Sequence, residues 1–293
     1  MERVLKNIYI ACNLILTLGS FYLVYQDIPS FKLANAHLCS SSILSIYFLT
    51  LIRFGLFPFH FFIQIVARRT NYIALFGLYF PLPFVLIFHT KFGDDLSLYV
   101  EPLASYALVS SMYLCLVGFY EKQLDTYLTY LGTSLLTISI ASFPYLSSEI
   151  LPDIVYYMAH IYLSISAMAL CVRMLKKRYG ITQVSQAGGL ASIHPILGYV
   201  FLFFAFVLSN MPLTMTFIGE EMTLHELYHH APAMAYISLL IFLFWGISLY
   251  RRYIELFCGV CTLKTPKLPL LFSEKTIILV LILIDILSPF LVI

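Results

Sequence analysis

Charge is the scarcest commodity in this 293-residue sequence: Asp, Glu, Lys and Arg together make up 11% of it. A soluble domain of ordinary composition carries about 25%. No long polar stretch interrupts the chain, so no soluble domain is concealed between apolar segments. Tryptophan occurs once, and the six cysteines are scattered. Cys12, Cys39, Cys115 and Cys171 lie in apolar runs. Only Cys258-Gly-Val-Cys261 has redox or metal spacing, and it lacks the second pair that an iron–sulfur or zinc framework needs. There is no glycine-rich phosphate loop, and a net charge of +2 is too small to point to nucleic acid. The first apolar run starts near Ile8 without a small-residue cleavage pattern, so no signal peptide is expected.

What remains is apolar. The chain is 61% hydrophobic with a mean hydropathy of +0.90, which predicts an all-α, polytopic membrane protein. A bilayer needs about 20 apolar residues per helix. On that measure the sequence predicts nine spans, near 8–25, 38–57, 72–89, 102–120, 126–142, 152–172, 194–226, 232–249 and 275–293. Two are broken: the second at Pro58, and the long seventh at Met211-Pro212. Paired interruptions of this kind point to a transport site in inverted-repeat carriers.

Basic residues orient the map. One face collects Arg3, Lys6, Arg68, Arg69, Lys122, Arg173, Lys176, Lys177, Arg178, Arg251, Arg252, Lys264, Lys267 and Lys275, and the other only Lys32 and Lys91. The positive-inside rule then puts the N-terminus inside and the C-terminus outside. Arg53 alone is left within a span, where charge is expensive and usually functional. It opens Arg53-Phe-Gly-Leu-Phe-Pro58-Phe-His60, a charge followed by a helix break and a histidine.

The second half carries a family pattern. Tyr157-Met-Ala-His160 comes first, then a basic connector and Gly188-Gly189-Leu190. Pro195, a long apolar helix and Met211-Pro212-Leu-Thr-Met-Thr-Phe217-Ile-Gly219-Glu220 follow. Order and spacing resemble the antiporter-like proton-channel subunits of respiratory complex I. That superfamily also takes in group 4 hydrogenase, Mrp-type antiporter and bicarbonate-accumulating relatives. Pro58-Phe-His60 is similar to the string after the family's first broken helix, with Arg53 where the family has a lysine. The resemblance covers roughly residues 40–290 and implies a member apparently lacking the first five helices. It divides one membrane domain, 1–293, into the degenerate end of a first half-channel, 1–100, and a second half-channel with the C-terminal helix, 101–293.

The resemblance implies proton translocation, or its support, in a redox-driven NADH:quinone oxidoreductase-type assembly of the respiratory chain. Electron transport and redox catalysis would then belong to other subunits, and this chain would bind no cofactor. The path residues it implies are Glu220, His160, Arg53 and His60. Arginine cannot release a proton as lysine does, so Arg53 would act as a fixed charge. Glu221 is sent to another side of its helix. Implied partners are other membrane subunits, a chain supplying the missing helices, and lipid. The implied location is the mitochondrial inner membrane or a bacterial cytoplasmic membrane.

Two other readings stay open. A non-conducting structural subunit fits the charge-poor first half. His225-Glu226-Leu-Tyr-His229 fits H-E-x-x-H, the arrangement of an integral-membrane zinc metalloprotease. Against that stands Pro232, which ends the helix just after the motif, with Glu255 and Asp285 as isolated acids downstream. No metal site is expected.

Overall fold

The computed structural model describes residues 97–142, 145, 151–261 and 271–292, and these are helical apart from short connectors. Arg53, His60 and the first three expected spans lie outside the described residues. The described helices are α1 (Ser97–Tyr120), α2 (Leu124–Ser142), α3 (Leu151–Tyr179), α4 (Pro195–Leu208), α5 (Met215–His230), α6 (Pro232–Phe257), α7 (Phe272–Leu287) and the single turn α8 (Pro289–Val292). Two short 3-10 turns, Val184–Gln186 and Leu190–Ser192, connect α3 to α4.

Local chemistry sets several ends. Asp153 lies in the first turn of α3, and Lys176, Lys177 and Arg178 lie in its last, each sign complementing the helix dipole. Gly180 follows in the left-handed region, φ 69°, where a side chain would be strained. Pro195 and Pro232 open α4 and α6, at the helix position that needs no N–H donor.

Two described helices are long and apolar enough to cross a membrane by composition, Tyr156–Tyr179 and Pro232–Phe257. The others fall short for visible reasons. The apolar part of α1 is Ala104–Tyr120, beyond Pro102. In α2, hydroxyl residues dilute the apolar ones. The expected long seventh span is two short helices, α4 and α5, separated by the break.

A continuous apolar core joins α1 through α6, with Trp245, Tyr127, Tyr157, Phe201, Phe204, Phe257 and Leu114 as its largest fully buried side chains. The outer faces are apolar too. Tyr236, Leu239, Leu240, Leu243, Ile247 and Ile254 are exposed on α6, opposite its buried Ser238, Ile241, Trp245, Ser248 and Arg252. On α7, Ile277, Leu279, Val280, Leu283, Ile284 and Leu287 are exposed. In water such a surface would drive association; in lipid it needs no cover, because hydrocarbon is as apolar as leucine.

Several polar groups between the helices are matched in pairs. Ser111 on α1 and Ser134 on α2 share hydrogen bonds of 2.8–3.0 Å, and the Trp245 indole N–H donates to Ser134 Oγ at 2.8 Å. One knot thus joins three helices, as expected of interhelical glue in hydrocarbon. The threonines of α2 donate back along their own helix, Thr133 to the Thr129 carbonyl at 2.8 Å and Thr137 to that of Thr133 at 3.0 Å. At one end of the bundle Arg252 is 3% exposed. It donates to the carbonyls of Phe119 (3.1 Å) and Glu121 and pairs with Glu255 at 2.8 Å. Arg252, counted on the basic face of the sequence, therefore also terminates α1.

Candidate functional site

The break between α4 and α5 explains how a carboxylate comes to sit inside the bundle. Pro212 cannot donate to a helix ladder, and the chain closes α4 before reaching it. Asn210 adopts φ 61°; its N–H donates to the Val207 carbonyl at 3.1 Å, and the Met211 N–H donates to that of Phe206 at 3.1 Å. That pair of bonds is a Schellman closure. The Thr214 hydroxyl caps α5, accepting from the Phe217 N–H at 3.3 Å. The Thr216 hydroxyl donates to the Val207 carbonyl at 2.6 Å, bridging the two half-helices. Backbone freed by the break is thus re-satisfied, the condition for irregular backbone at membrane depth.

Glu220 follows within α5 and is buried, 9% exposed. It makes no hydrogen bond among the described residues. It lines a cleft of about 970 Å³ between α5 and α6, shared with Ser209, Asn210, Glu221, His225 and Tyr250. Glu221 borders the same cleft while turning to its exposed side, as expected of a neighbour that points elsewhere on the helix. The two neighbours flank the cleft from its deep and exposed sides, Glu220 buried and Glu221 exposed. The rest of the wall is mainly apolar, with Phe217, Leu224, Leu239 and Phe242 among it.

Gly219 sets the depth of Glu220. A Cβ at Gly219 would overlap the Tyr157 ring of α3, so only glycine allows this approach of α5 to α3. Tyr157 is itself 1% exposed and lies one turn before His160. His160 is 4% exposed. Its Nδ1 lies 2.9 Å from Asp285 Oδ1 on α7, and the Ser164 hydroxyl donates to Oδ2 at 3.1 Å. The Tyr156 ring meets the imidazole edge-on at 4.9 Å between centroids. Tyr157, His160 and Ser164 recur at helical spacing, so one stripe of α3 runs from the Glu220 region to Asp285.

Asp285 is the residue that sequence reasoning passed over. Its signal was visible: one acid in an otherwise apolar final span. It was judged isolated because its partner lies 125 positions away in the chain.

The remaining motifs resolve into structural contacts. His225 and His229 stand ring to ring, 4.5 Å apart, but no group of three metal-ligating side chains gathers among the described residues. His230 stacks on Tyr145 at 5.6 Å. Cys258 and Cys261 lie on a loop pressed against Gly189. Gly189 has φ 66°, donates to the Cys258 carbonyl at 2.9 Å, and has no room for a side chain. Gly189 of the Gly188-Gly189 pair is thus a packing requirement in this chain.

Known proteins share this architecture. A chain of respiratory complex I from Thermus thermophilus, solved with bound NADH, superimposes with a TM-score of 0.77 at 17% identity, covering 98% of this chain and 63% of that one. A chain of the Mrp complex from a Dietzia species superimposes with a TM-score of 0.78 at 14% identity, covering 97% and 64%. The chain has the antiporter-like fold. Its sequence relatives agree. NADH-quinone oxidoreductase subunit M of Rickettsia prowazekii is 25% identical over 257 residues, 82% of this chain and 52% of that protein. NADH-ubiquinone oxidoreductase chain 4 of Chondrus crispus is 29% identical over 175 residues, 59% of this chain and 34% of that protein. The chain therefore spans about half the length, or less, of the curated relatives it matches. No family model matches it. The resemblance to the antiporter-like membrane subunits of complex I rests on these relatives and on the shared fold.

Proposed function

We propose that the chain is a membrane subunit of a complex I-type, redox-driven assembly, and that it moves protons through its second half-channel. The observation that carries the proposal is the buried His160–Asp285 pair on the same stripe of α3 that meets Gly219-Glu220. Ionisable groups inside a membrane bundle are rare and mark ion or proton paths. Glu220 is the carboxyl that takes up and releases protons at the cleft, and His160 exchanges them further inside. Redox chemistry would sit in partner subunits. The location that fits is an energy-transducing membrane, with basic Lys176, Lys177 and Arg178 on its inner side. Arg53 and His60 remain members of the proposed path as the sequence assigns them.

The relatives' names support the coarse reading: they belong to subunits of NADH-quinone and NADH-ubiquinone oxidoreductases. The decisive test is purification in mild detergent followed by mass spectrometry of the intact assembly. The reading requires stoichiometric recovery with respiratory-type subunits. The same spectrum would reveal any additional small membrane chain, the mark of a split subunit. A lone species containing one zinc per chain would overturn the reading in favour of His225, Glu226 and His229.

A further inference from the structure

We propose that Asp285 is a positioning residue for His160: it holds the imidazole by Nδ1, so that protons enter and leave at Nε2. This inference rests on the proton-path reading above and deepens it. Three observations carry it. The His160 Nδ1 to Asp285 Oδ1 separation is 2.9 Å, a normal hydrogen bond. Both groups are almost fully enclosed, His160 at 4% and Asp285 at 2% exposed, so water does not compete for the contact. The second carboxylate oxygen already accepts from Ser164 at 3.1 Å, which fixes the plane of the carboxylate.

The chemistry follows from the donor inventory. An ionised carboxylate only accepts hydrogen bonds, so the nitrogen facing it carries the hydrogen. That leaves the Nε2 lone pair of neutral His160 as the exchangeable site, the logic by which a buried acid fixes a histidine tautomer. In the loading step, a water or acid of the path gives up its proton as the Nε2–H bond forms. Imidazole becomes imidazolium, and Asp285 stays ionised throughout. The pair goes from a net single negative charge to neutral, and release at Nε2 reverses the step. Ser164 steadies the charged, empty state. The Tyr156 edge against the ring opposes a flip that would turn Nδ1 away from Asp285.

A structural reading of the same contact is an interhelical clamp. The α7 helix packs chiefly on α3 and is also tied to it by Arg178 and Glu274. The two roles separate by experiment on the intact, reconstituted complex. Coupled proton transfer is measured for wild type, Asp285→Asn, Asp285→Glu, Ser164→Ala, His160→Gln and the double variant His160→Gln/Asp285→Asn. Positioning predicts that Asp285→Asn lowers transfer about tenfold or more, the scale of losing the carboxylate that orients a functional histidine. The double variant should fall within about twofold of His160→Gln, because the two residues act as one unit. Asp285→Glu, which keeps the carboxylate, should recover most of the loss.

Nitrogen NMR of histidine-labelled complex, with His160→Gln subtracted to identify His160, should show hydrogen on Nδ1 and a bare Nε2. This readout is independent of transport, so it tests Asp285 even if the complex moves no protons. A bare Nδ1 in wild type overturns the proposal. So does an assembled Asp285→Asn complex with transfer within about twofold of wild type, or losses that multiply in the double variant. If Asp285→Asn does not assemble, Ser164→Ala supplies the transport arm. It should lower transfer by about tenfold, the worth of one hydrogen bond to a charged group, and unchanged transfer would overturn the proposal.

Discussion

Asp285 meets two donors, the His160 imidazole and the Ser164 hydroxyl, whereas Glu220 lines an open cleft with no hydrogen bond among the described residues. Both acids are buried, Asp285 in a largely apolar helix and Glu220 in one that also carries Glu221, Glu226 and three histidines. The difference separates two uses of a carboxylate. A partnered acid in low dielectric is held in one protonation state and in turn holds its partner. An unpartnered one bordering a cleft leaves its carboxyl available to groups that enter the cleft. The neutral knot of Ser111, Ser134 and Trp245 makes a third case, buried and polar without any proton to exchange. Polar burial alone therefore does not identify a path; the ability to titrate does.

The contrast can be sharpened by disturbing what surrounds each acid. The largest loss of stability is expected from Gly219→Ala, which pushes a methyl into the Tyr157 ring between the two acids. Overpacking should cost about 3 kcal/mol, read as a lowered Tm of the purified protein in detergent. An unchanged Tm would mean that α5 does not lie as close to α3 as described.

Thr216→Val comes next. It removes the second donor to the Val207 carbonyl, the one that bridges the break, at a cost of about 1 kcal/mol. The loss should be accompanied by faster proteolysis near residues 209–214 if the two half-helices separate. Trp245→Phe should cost about 1 kcal/mol, since Ser134 keeps its bonds to Ser111. Proton transfer should be unaffected there, and a transport defect would mean that the neutral knot is more than glue. The smallest effect belongs to Glu221→Gln. As an exposed residue at the cleft rim, it should change stability by no more than about 0.5 kcal/mol.

Much of this arrangement was legible in the sequence, and the exceptions share one cause. Met211-Pro212 announced the break, because a proline in a long apolar run has few structural meanings. Glu220 and His160 were legible through the family pattern, and the glycine beside Glu220 was part of the same string. The contacts that make them a site were not. Asp285 reaches His160, and Trp245 reaches Ser134, across more than a hundred residues of chain. No local periodicity encodes such pairings; helix packing decides them. Span lengths were blurred for a similar reason. The α2 helix reads as weakly apolar because its threonines are satisfied by backbone inside the bundle. Glu221 borders the cleft although it points elsewhere than Glu220, because adjacent helical residues, about 100° apart, can both border a wide cleft.

Glu220→Gln tests the central claim most directly. The substitution keeps the shape of the side chain and removes its ability to ionise. Proton-to-electron stoichiometry would be measured in vesicles carrying the intact complex, alongside its subunit composition. The account predicts full assembly with proton transfer through this subunit reduced about tenfold or more. Normal stoichiometry in a fully assembled Glu220→Gln complex would remove Glu220 from the path, and leave the buried acid of the broken helix as a purely structural residue.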